Sequence, residues 1–412
     1  EDIALALIGR VPVERKAERA VICDLDGAQI DQGLILYFKG PRSFTGENSL
    51  EFQIHGGRAV VDRLLSTLSA FPETRHAEAG EFTRRAFEAG KIDLVEVEGL
   101  ADLVAAETEM QRRLALEQAN GGLTLVYERW AQKITHARAM IEAELDFSDE
   151  GDVPGSVADT IWTEMQDVQS QIMQAISDMS VGEMIRDGMN VVITGRPNVG
   201  KSSLLNCLAG RDIAIVTHMP GTTRDVLTVD LNLDGYLVRF KDTAGIRETS
   251  DLVEREGIRR AEDALVSADL VLHLVDMSGS IPEDVNMEGL SAPILRVGTK
   301  SDLKDRQFMP SNIDMEVSSH SKEGIDSLLK QISSILNTRV SGASRSIPSR
   351  KRHEQHLVMA CNALNEALQS QRPLEIRAES LRLAAESLSR ITGRVDTETI
   401  LGVIFSEFCI GK

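Results

Sequence analysis

The chain has 412 residues, of which 42% are hydrophobic but only 4% aromatic, and its formal net charge is −19. At about 100–200 residues per domain, this length predicts two to four domains, and the aliphatic composition favours helical and α/β folds. The negative charge argues against a general nucleic-acid coat, and no apolar run approaches the ~20 residues that span a membrane.

The four cysteines are far apart and include no CxxC pair. This spacing argues against a zinc ribbon or a disulfide framework and predicts a reducing, cytoplasmic location. Because the chain begins with Glu1 rather than Met, we expect its natural start to precede Glu1.

The first segment, residues 1–91, is predicted to be an α+β domain. Residues 34–38 read as a strand, and residues 50–54 alternate between apolar and polar side chains as a half-buried strand does. A turn at 55–57 follows, and residues 59–68 have a helical pattern.

Residues 92–186 are predicted to be helical. One helix is expected around residues 100–118, before the pair Gly121-Gly122. Two apolar stripes at helical spacing follow, and the simplest interpretation of their Met and Trp side chains is core packing. The stripes consist of Val126, Trp130, Ile134, Ala137, Ile141 and Leu145, and of Ile161, Met165, Val168, Ile172, Ile176 and Met179.

From residue 187 to 340, short apolar strands alternate with helices, which predicts a mostly parallel sheet. The expected strands include residues 191–193, 237–240, 270–275 and 294–297. Residues 341–348 read as a linker, after which helical patterns return to the end of the chain. We therefore expect a multidomain protein in which an α/β domain is inserted into a discontinuous helical domain, with 341–412 as its second part.

A phosphate-binding loop is the most specific motif of the inserted domain. Gly195-Arg-Pro-Asn-Val-Gly-Lys-Ser202 fits GxxxxGK[ST], and it follows a strand and opens a helix as that motif requires. Backbone N–H groups and the helix N-terminus would hold phosphates, Lys201 would reach the β- and γ-phosphates, and Ser202 would ligate Mg²⁺.

Further motifs follow in the order expected of a GTP site. They are Gly221-Thr-Thr-Arg-Asp225, Asp242-Thr-Ala-Gly245, Thr299-Lys-Ser-Asp302 and Ser318-Ser319. Asp302 offers two acceptor oxygens to the N1–H and 2-amino donors of guanine, a pair that adenine lacks. The motifs predict GTP rather than ATP. Thr299 stands where asparagine is usual, and this substitution raises a question about nucleotide affinity.

The usual group that orients the attacking water is missing. Where Ras-like enzymes have glutamine after DxxG, this chain has Ile246, which cannot hydrogen-bond. Asn198 is a candidate to help hold a monovalent cation near the phosphates, and Glu254 is a candidate to polarise water. The alternative interpretation of Glu254 is an exposed helix carboxylate.

Taken together, the motifs resemble those of the MnmE/TrmE family of tRNA-modification GTPases over essentially the whole chain. The G-domain motifs alone would also suit a ribosome-assembly GTPase, a GTP-dependent binding module, but the N-terminal and C-terminal motifs are more specific. The motifs that carry the resemblance are Ser43-Phe-Thr-Gly-Glu47, His55-Gly-Gly57, Gly80-Glu-Phe-Thr-Arg-Arg-Ala-Phe87, the phosphate loop through Asn206, Gly221–Asp225, Asp242-Thr-Ala-Gly-Ile-Arg247 and Phe408-Cys-Ile-Gly-Lys412.

The resemblance implies an N-terminal tetrahydrofolate-binding and dimerisation domain, a helical domain and a Ras-like G domain. It implies a K⁺-stimulated GTPase that works with the flavoprotein GidA (MnmG) in a heterotetramer, binds tRNA, and adds a carboxymethylaminomethyl-type group to C5 of the wobble uridine. The one-carbon unit would come from 5-formyl- or methylene-tetrahydrofolate. G domains would meet across the homodimer to drive hydrolysis.

The resemblance also implies residue roles. Mg²⁺ would be held by Ser202 and Thr223, and K⁺ by Asn198, Thr217, Met219 and Thr222. Folate would contact Glu51, Lys91 and Lys412, and an arginine of the family's folate site is expected before Glu1. The predicted nucleotide-contacting residues are Asn198, Val199, Gly200, Lys201, Ser202, Ser203, Thr217, Thr222, Thr223, Asp242, Thr243, Ala244, Gly245, Thr299, Lys300, Asp302, Ser318 and Ser319.

Catalytic candidates are Glu254, which matches the family's catalytic glutamate, Lys201, Arg247 and Cys409. Cys409 has two interpretations, a nucleophile toward the uridine ring or a packed tail residue. The basic cluster Arg345, Arg350, Lys351, Arg352 and His353 likewise has two, a contact with tRNA phosphates or a solvated helix start.

Overall fold

The computed structural model describes residues 1–146, 156–215, 228–242, 264–278, 290, 292–303, 312–341 and 346–393. The described residues form two compact units: one contains Glu1–Ala101 and residues 389–393, and the other contains the described part of Asp102–Leu388. No helix among the described residues is both long enough and apolar enough to cross a membrane.

The first unit contains a three-stranded antiparallel sheet in the order β1-β2-β3. Its core forms where Leu7, Ile22, Ile35 and Leu64 pack together. The strands predicted at 34–38 and 50–54 and the helix predicted at 59–68 are present, whereas two short helices, Asp2–Ile8 and Glu81–Glu88, and the strand Glu18–Cys23 were not predicted. The elements are α1 (Asp2–Ile8), β1 (Glu18–Cys23), β2 (Gln29–Phe38), β3 (Ser49–Gln53), α2 (Arg58–Ser69), α3 (Glu81–Glu88) and α4 (Leu94–Ala105), the last of which crosses the boundary between the units.

The single helix expected around residues 100–118 is wrong. The chain forms two helices, because α4 ends at Ala105 and α5 (Glu109–Ala119) begins after a capping box at Thr108. The Thr108 hydroxyl accepts from the N–H of Gln111, and the Gln111 side chain accepts from the N–H of Thr108 at 3.0 Å. This exchange satisfies N–H groups that a new helix would otherwise leave unpaired.

Long helices follow, as the two apolar stripes predict. In α6 (Gly122–Asp146) the buried face includes Trp130, Ile134 and Ile141, and in α7 (Ser156–Asp187) it includes Met165 and Ile172. These side chains pack in the core. Two further helices lie after the sheet, α10 (Lys351–Ala367) and α11 (Leu374–Ile391).

A six-stranded sheet separates these two sets of helices in the sequence. Its order is β5-β6-β4-β7-β8-β9, and every described pair is parallel except β5 with β6. The mostly parallel sheet is therefore confirmed. Its elements are β4 (Met189–Thr194), α8 (Lys201–Ala209), β5 (Thr228–Leu233), β6 (Tyr236–Asp242), β7 (Leu270–Asp276), β8 (Ile294–Thr299), β9 (Met315–Glu316) and α9 (Ile325–Val340).

In the second unit, residues that precede the sheet in the sequence contact residues that follow it. The Gln118 side chain donates to the carbonyl of Ile347 at 3.1 Å, and Arg350 pairs with Asp102 at 2.6 Å. The rings of Tyr127 and His353 lie edge to face with centroids 5.8 Å apart. These contacts agree with a helical domain interrupted by an α/β domain, while the predicted boundaries at 91, 186 and 340 stay predictions.

Candidate functional site

The parallel strands β4, β6, β7 and β8 end at one edge of the sheet, where ligands of α/β proteins usually bind. The phosphate loop occupies the end of β4. Gly195 has a φ of 147°, and a Cβ there would lie 2.8 Å from the carbonyl oxygen of Leu274. Gly200, the N-cap of α8, has a φ of 104°. Both positions therefore require glycine, and they let the loop turn tightly into the helix.

Lys201 is buried, and its ammonium lies inside the loop. Its Nζ donates to the carbonyl oxygens of Gly195 at 2.8 Å and Arg196 at 2.9 Å. The loop thus holds a positive charge at the N-terminus of α8, where an anion is already favoured by the helix dipole. Asn198 is exposed at the loop tip with a φ of 64°.

Ser202 and Asp242 converge beside this loop. The Ser202 hydroxyl donates to Oδ2 of Asp242 at 3.3 Å, and Asp242 is 1% exposed. The parallel register that pairs Ile193 with Asp242 brings the carboxylate to the start of α8. A hydroxyl and a carboxylate are hard oxygen donors of the kind that Mg²⁺ prefers alongside phosphate oxygens and water.

Thr299 ends β8 and points into the phosphate loop. Its hydroxyl lies 2.6 Å from the carbonyl oxygen of Val199 and 3.2 Å from that of Val275. The threonine that replaces the usual asparagine therefore makes a contact with the loop. Lys300, which follows, has a φ of 57° and donates to Oδ2 of Asp276 at 2.6 Å.

Asp302 and Ser318 form the last pair at this edge. The buried Ser318 hydroxyl donates to Oδ1 of Asp302 at 2.6 Å, and it accepts from the N–H groups of His320 and Ser321 at 3.2 and 3.0 Å. The Ser318 hydrogen bond lowers the pKa of the Asp302 carboxyl below its ordinary value. Asp302 is therefore held ionised, in the form that accepts hydrogen bonds from two donors.

Ser319 lies beside an open cavity of about 470 Å³. Ser203 and Asn206 line this cavity from α8, and His320 lines it from the loop that carries Ser318. Two of the predicted nucleotide residues, Ser203 on α8 and Ser319 on the loop after β9, thus line one depression in the surface.

The family of this chain is decided by comparison with known proteins. A family model described as the MnmE helical domain matches residues 94–409, and one described as the N-terminus of the GTP-binding protein TrmE matches residues 3–91. The chain belongs to the MnmE family of tRNA modification GTPases.

Relatives from two rhizobia support this assignment. The tRNA modification GTPase MnmE of Rhizobium johnstonii is 54% identical over 100% of this chain and 93% of its own length. That of Sinorhizobium medicae is 53% identical with the same coverage. Among solved structures, a variant of Era from Aquifex aeolicus bound to GDP and AlF4⁻ matches 42% of this chain and 66% of that one, with 25% identity and a TM-score of 0.29.

Several predicted MnmE site residues lie outside the described residues, and their roles stay predictions. They belong to the predicted K⁺ and Mg²⁺ ligands, the segment after Asp242 and the C-terminal motif. They are Thr217, Met219, Thr222, Thr223, Thr243, Ala244, Gly245, Arg247, Glu254, Cys409 and Lys412.

The predicted folate residues of the N-terminal unit lie on separate elements. Glu51 is exposed on β3. Lys91 donates to the carbonyl oxygen of Pro41, and a Cβ on Gly46 would lie 3.4 Å from the Lys91 Cε. No hydrogen bond or ion pair joins Lys91 to Glu51 within the described residues, so the structure places Lys91 at the 41–46 loop without linking the two.

Sequence reasoning missed Asp276, which holds the ammonium of Lys300. Its signal was present, because Asp276 directly follows the apolar residues of a buried parallel strand and therefore falls at the ligand-binding edge. Two residues of the basic cluster have contacts within the protein, since Arg350 pairs with Asp102 and His353 is buried. Arg345 lies outside the described residues, and both interpretations of the cluster stay predictions.

Proposed function

We propose that this chain hydrolyses GTP at its phosphate loop and, with a GidA/MnmG flavoprotein, adds a carboxymethylaminomethyl-type group to C5 of the wobble uridine of certain tRNAs. The observation that carries the GTPase part is the pairing of Ser202 with Asp242 beside the loop that encloses Lys201. Membership of the MnmE family supports the tRNA-modifying part.

The chemistry of phosphoryl transfer depends on positioning and charge more than on covalent chemistry. Backbone N–H groups at the start of α8 and the Lys201 ammonium would bind and orient the phosphates. Ser202 would ligate Mg²⁺ and Asp242 would hold its water shell, and the cation would neutralise charge that develops on the γ-phosphate. Asp302 would accept from N1–H and the 2-amino group of guanine.

Water activation is proposed to use Glu254 with a K⁺ ion near the exposed Asn198. Ile246 cannot orient water, so another group must supply that function. K⁺ would be gained when G domains meet across a homodimer, with Thr217, Met219 and Thr222 as further ligands. Turnover in KCl and in NaCl at equal ionic strength tests this proposal, and equal rates would remove K⁺ from it.

Folate is proposed to bind the N-terminal domain with Glu51, Lys91 and Lys412 among its contacts. A calorimetric titration of the full-length protein with 5-formyltetrahydrofolate separates this function from that of a ribosome-assembly GTPase, which has no evident use for folate. Absence of binding would favour the assembly function.

The decisive experiment is mass spectrometry of wobble nucleosides from cells that lack this protein. We expect the carboxymethylaminomethyl-type nucleoside to disappear and to return with the wild-type gene. Complementation with Lys201→Ala should fail, because the variant lacks the ammonium inside the loop, whereas the exposed Lys330→Ala on α9 should restore modification. Full modification with Lys201→Ala would instead indicate a folate enzyme for which GTP is incidental.

A further inference from the structure

We propose that His55, oriented by Asp31, is a specificity-determining residue of the N-terminal domain, and that its Nε2 donates a hydrogen bond to the formyl oxygen of a bound reduced folate. This inference rests on the proposed function, because it concerns the folate that this domain is proposed to bind. It assigns a role to the turn at 55–57, which neither the GTP site nor the predicted folate contacts include.

One carboxylate holds both the backbone and the ring of His55. Oδ2 of Asp31 accepts from the His55 N–H at 2.8 Å, and Oδ1 lies 2.9 Å from the ring Nδ1. The Asp31 side chain is only 11% exposed, whereas that of His55 is 80% exposed. A side chain so exposed ordinarily occupies several rotamers, and the bond to a buried partner restricts this one. The imidazole is therefore held in one orientation at the surface, as a group that meets a ligand should be.

The charge of Asp31 decides which ring nitrogen carries hydrogen. The N–H of His55 is the largest cause of the lowered pKa of Asp31, so this carboxyl is ionised at neutral pH. An ionised carboxylate only accepts hydrogen bonds, and Nδ1 must therefore be the donor. Within the described residues Asp31 is the only partner of the ring, which leaves Nε2 to a ligand.

His55 ends a row of exposed side chains on one side of the chain. Glu51, Gln53 and His55 are exposed, and the residues between them are half-buried. Leu34 pairs with Gln53 in the antiparallel register, so it lies on the same face, where it is 41% exposed. An apolar surface beside a carboxylate suits a flat heterocycle with N–H donors along one edge, as in the pterin of a folate. The residues present therefore fit this ligand.

The pterin and the one-carbon unit require different partners. Glu51 can accept from N–H donors of the pterin but cannot donate to a carbonyl oxygen. A formyl group on N5 presents such an oxygen, and the protonated imidazole of His55 offers it a charge-assisted N–H. A methyl group on the same nitrogen has no oxygen to accept this bond. His55 therefore distinguishes a formyl-bearing folate from a methyl-bearing one.

The contact couples folate binding to the uptake of a proton. Because Nδ1 already carries hydrogen, Nε2 donates only when the ring is protonated, and Asp31 compensates the resulting charge. Other charged side chains lie on the sheet face and at the start of α2, and none of them pairs with the ring. They are Arg19, which donates to Gln32, Glu51, and Arg58 and Asp62, which pair with each other at 3.7 Å.

The test is calorimetric titration of the full-length protein with 5-formyltetrahydrofolate and with 5-methyltetrahydrofolate. The proteins compared are wild type, His55→Asn and the control His76→Asn, which changes another exposed histidine of the same unit. Asparagine at position 55 keeps an N–H donor for Asp31 and removes Nε2. We expect His55→Asn to bind the formyl ligand about tenfold more weakly and the methyl ligand within about twofold of wild type. His76→Asn should leave both affinities unchanged.

The same titrations in two buffers of different ionisation enthalpy count the protons taken up on binding. Above about pH 7, where ordinary imidazoles are mostly neutral, wild type should take up more protons with the formyl ligand than with the methyl ligand. His55→Asn should abolish this difference. A residue that only shapes the turn would not produce it.

The outcomes separate this inference from the proposed function. If wild type binds neither folate, the proposed folate function fails, and the role of His55 fails with it. If wild type binds folate but takes up equal numbers of protons with both ligands, the role of His55 is overturned without reference to any variant. Retention of the formyl preference by His55→Asn, or an equal loss of affinity for both ligands, overturns it as well.

Discussion

The hydroxyl of Ser318 donates a 2.6 Å hydrogen bond to Oδ1 of Asp302 and thereby joins the loops that follow β8 and β9. The direction of the O–H bond is fixed, because the Ser318 hydroxyl oxygen also accepts from the N–H groups of His320 and Ser321. One carboxylate oxygen of Asp302, Oδ1, is thus anchored. An anchored carboxylate can discriminate between bases, since a misplaced donor cannot pull it into a new position.

Ser318→Ala removes the anchor while leaving the carboxylate in place. We expect the affinity for GDP to fall by about fivefold to tenfold, because a charge-assisted hydrogen bond that orients Asp302 is lost. Calorimetric titration with GDP measures this affinity. Ser319→Ala is the matched control. It should change affinity little, because we expect Ser319 to contact the nucleotide through its backbone N–H, which alanine keeps. An equal loss in the control would show that the loop, rather than the hydroxyl, sets affinity.

The same bond predicts a pH dependence of nucleotide binding. Because Ser318 lowers the pKa of Asp302, wild type keeps the carboxylate ionised at a lower pH than an unperturbed aspartate would. In Ser318→Ala this pKa should rise toward the ordinary ~3.9, so the acid limb of GDP binding should move to higher pH. Titrations in acidic buffers measure the limb. Superimposed limbs for wild type and variant would contradict this assignment.

Gly195→Ala tests whether the loop needs a residue without a side chain. The φ of 147° disfavours any other residue, and the added Cβ would lie 2.8 Å from Leu274 O and 3.0 Å from a methyl group of Val199. We expect GDP binding to fall at least tenfold, because the loop must shift to admit the methyl group.

Gly210→Ala supplies the control for that substitution. Gly210 caps the other end of α8 with a φ of −80°, and a Cβ there would lie no closer than 3.6 Å to any atom of the described residues. Calorimetry should find nearly wild-type affinity. Similar losses in both variants would mean that α8, rather than the loop, is being disturbed.

The sequence predicts the sheet and the phosphate site well where one strong local signal decides the outcome. The loop from Gly195 to Ser202 combines a motif with its strand-to-helix context, and Asp242 and Thr299 follow apolar strands. Parallel strands bring such positions to one edge, so their proximity follows from topology alone.

Other elements were not predicted, although the sequence contains a local pattern that indicates each of them. β5 alternates in Thr228-Val-Asp-Leu-Asn-Leu233 and is followed by Asp234-Gly235, whose φ values of 52° and 90° match a type I′ hairpin turn. Likewise, Thr108 and Gln111 mark the break between α4 and α5 by a capping box, but no glycine or proline stands there. These signals are pairs of polar residues within otherwise periodic stretches.

The partner that Thr299 selects was beyond sequence reasoning. Its contact spans 100 positions and depends on which carbonyl of the loop faces β8. A pattern gives the end of a strand, but it cannot give the direction of a peptide plane in a facing loop. From the sequence alone, the short threonine side chain raises a question about nucleotide affinity. The structure shows that its hydroxyl hydrogen-bonds the carbonyl oxygen of Val199.

Tyr236→Ala should weaken the attachment of the sheet to α5. Tyr236 packs both on the sheet core and on the cluster of Leu114, Ile185 and Ile347, and the adjacent Gly235 carbonyl accepts from the N–H of Met110 at 3.0 Å. We expect a loss of about 2–4 kcal/mol, measured by urea titration with hydrogen exchange of residues 228–242. Tyr236→Phe should retain stability, because no described residue hydrogen-bonds the Tyr236 hydroxyl. Equal destabilisation by both would place the stabilising contact at the hydroxyl.

Asp24 organises the turn between β1 and β2 in the first unit. Its Oδ1 accepts from the N–H groups of Asp26 at 3.0 Å and Ala28 at 2.8 Å, and its Oδ2 accepts from the Arg63 guanidinium of α2. The Arg63 hydrogen bond is the largest cause of the lowered pKa of Asp24. One carboxylate therefore ties the sheet to the helix that covers it.

Asp24→Asn keeps an oxygen for the turn but loses the charge that pairs with Arg63. Because the folded-state pKa is lowered, the ionised form stabilises the fold above the ordinary value of ~3.9, and this stabilisation is lost as pH falls through the folded-state pKa. We expect the variant to lose hydrogen-exchange protection of residues 18–38 at a lower urea concentration than wild type at pH 7. The difference in urea concentration between variant and wild type should become smaller at acidic pH. Asp26→Asn, at an exposed turn position, is the control and should lose protection at the same urea concentration as wild type at every pH. If the difference between Asp24→Asn and wild type did not change with pH, the pairing with Arg63 would not depend on the Asp24 charge.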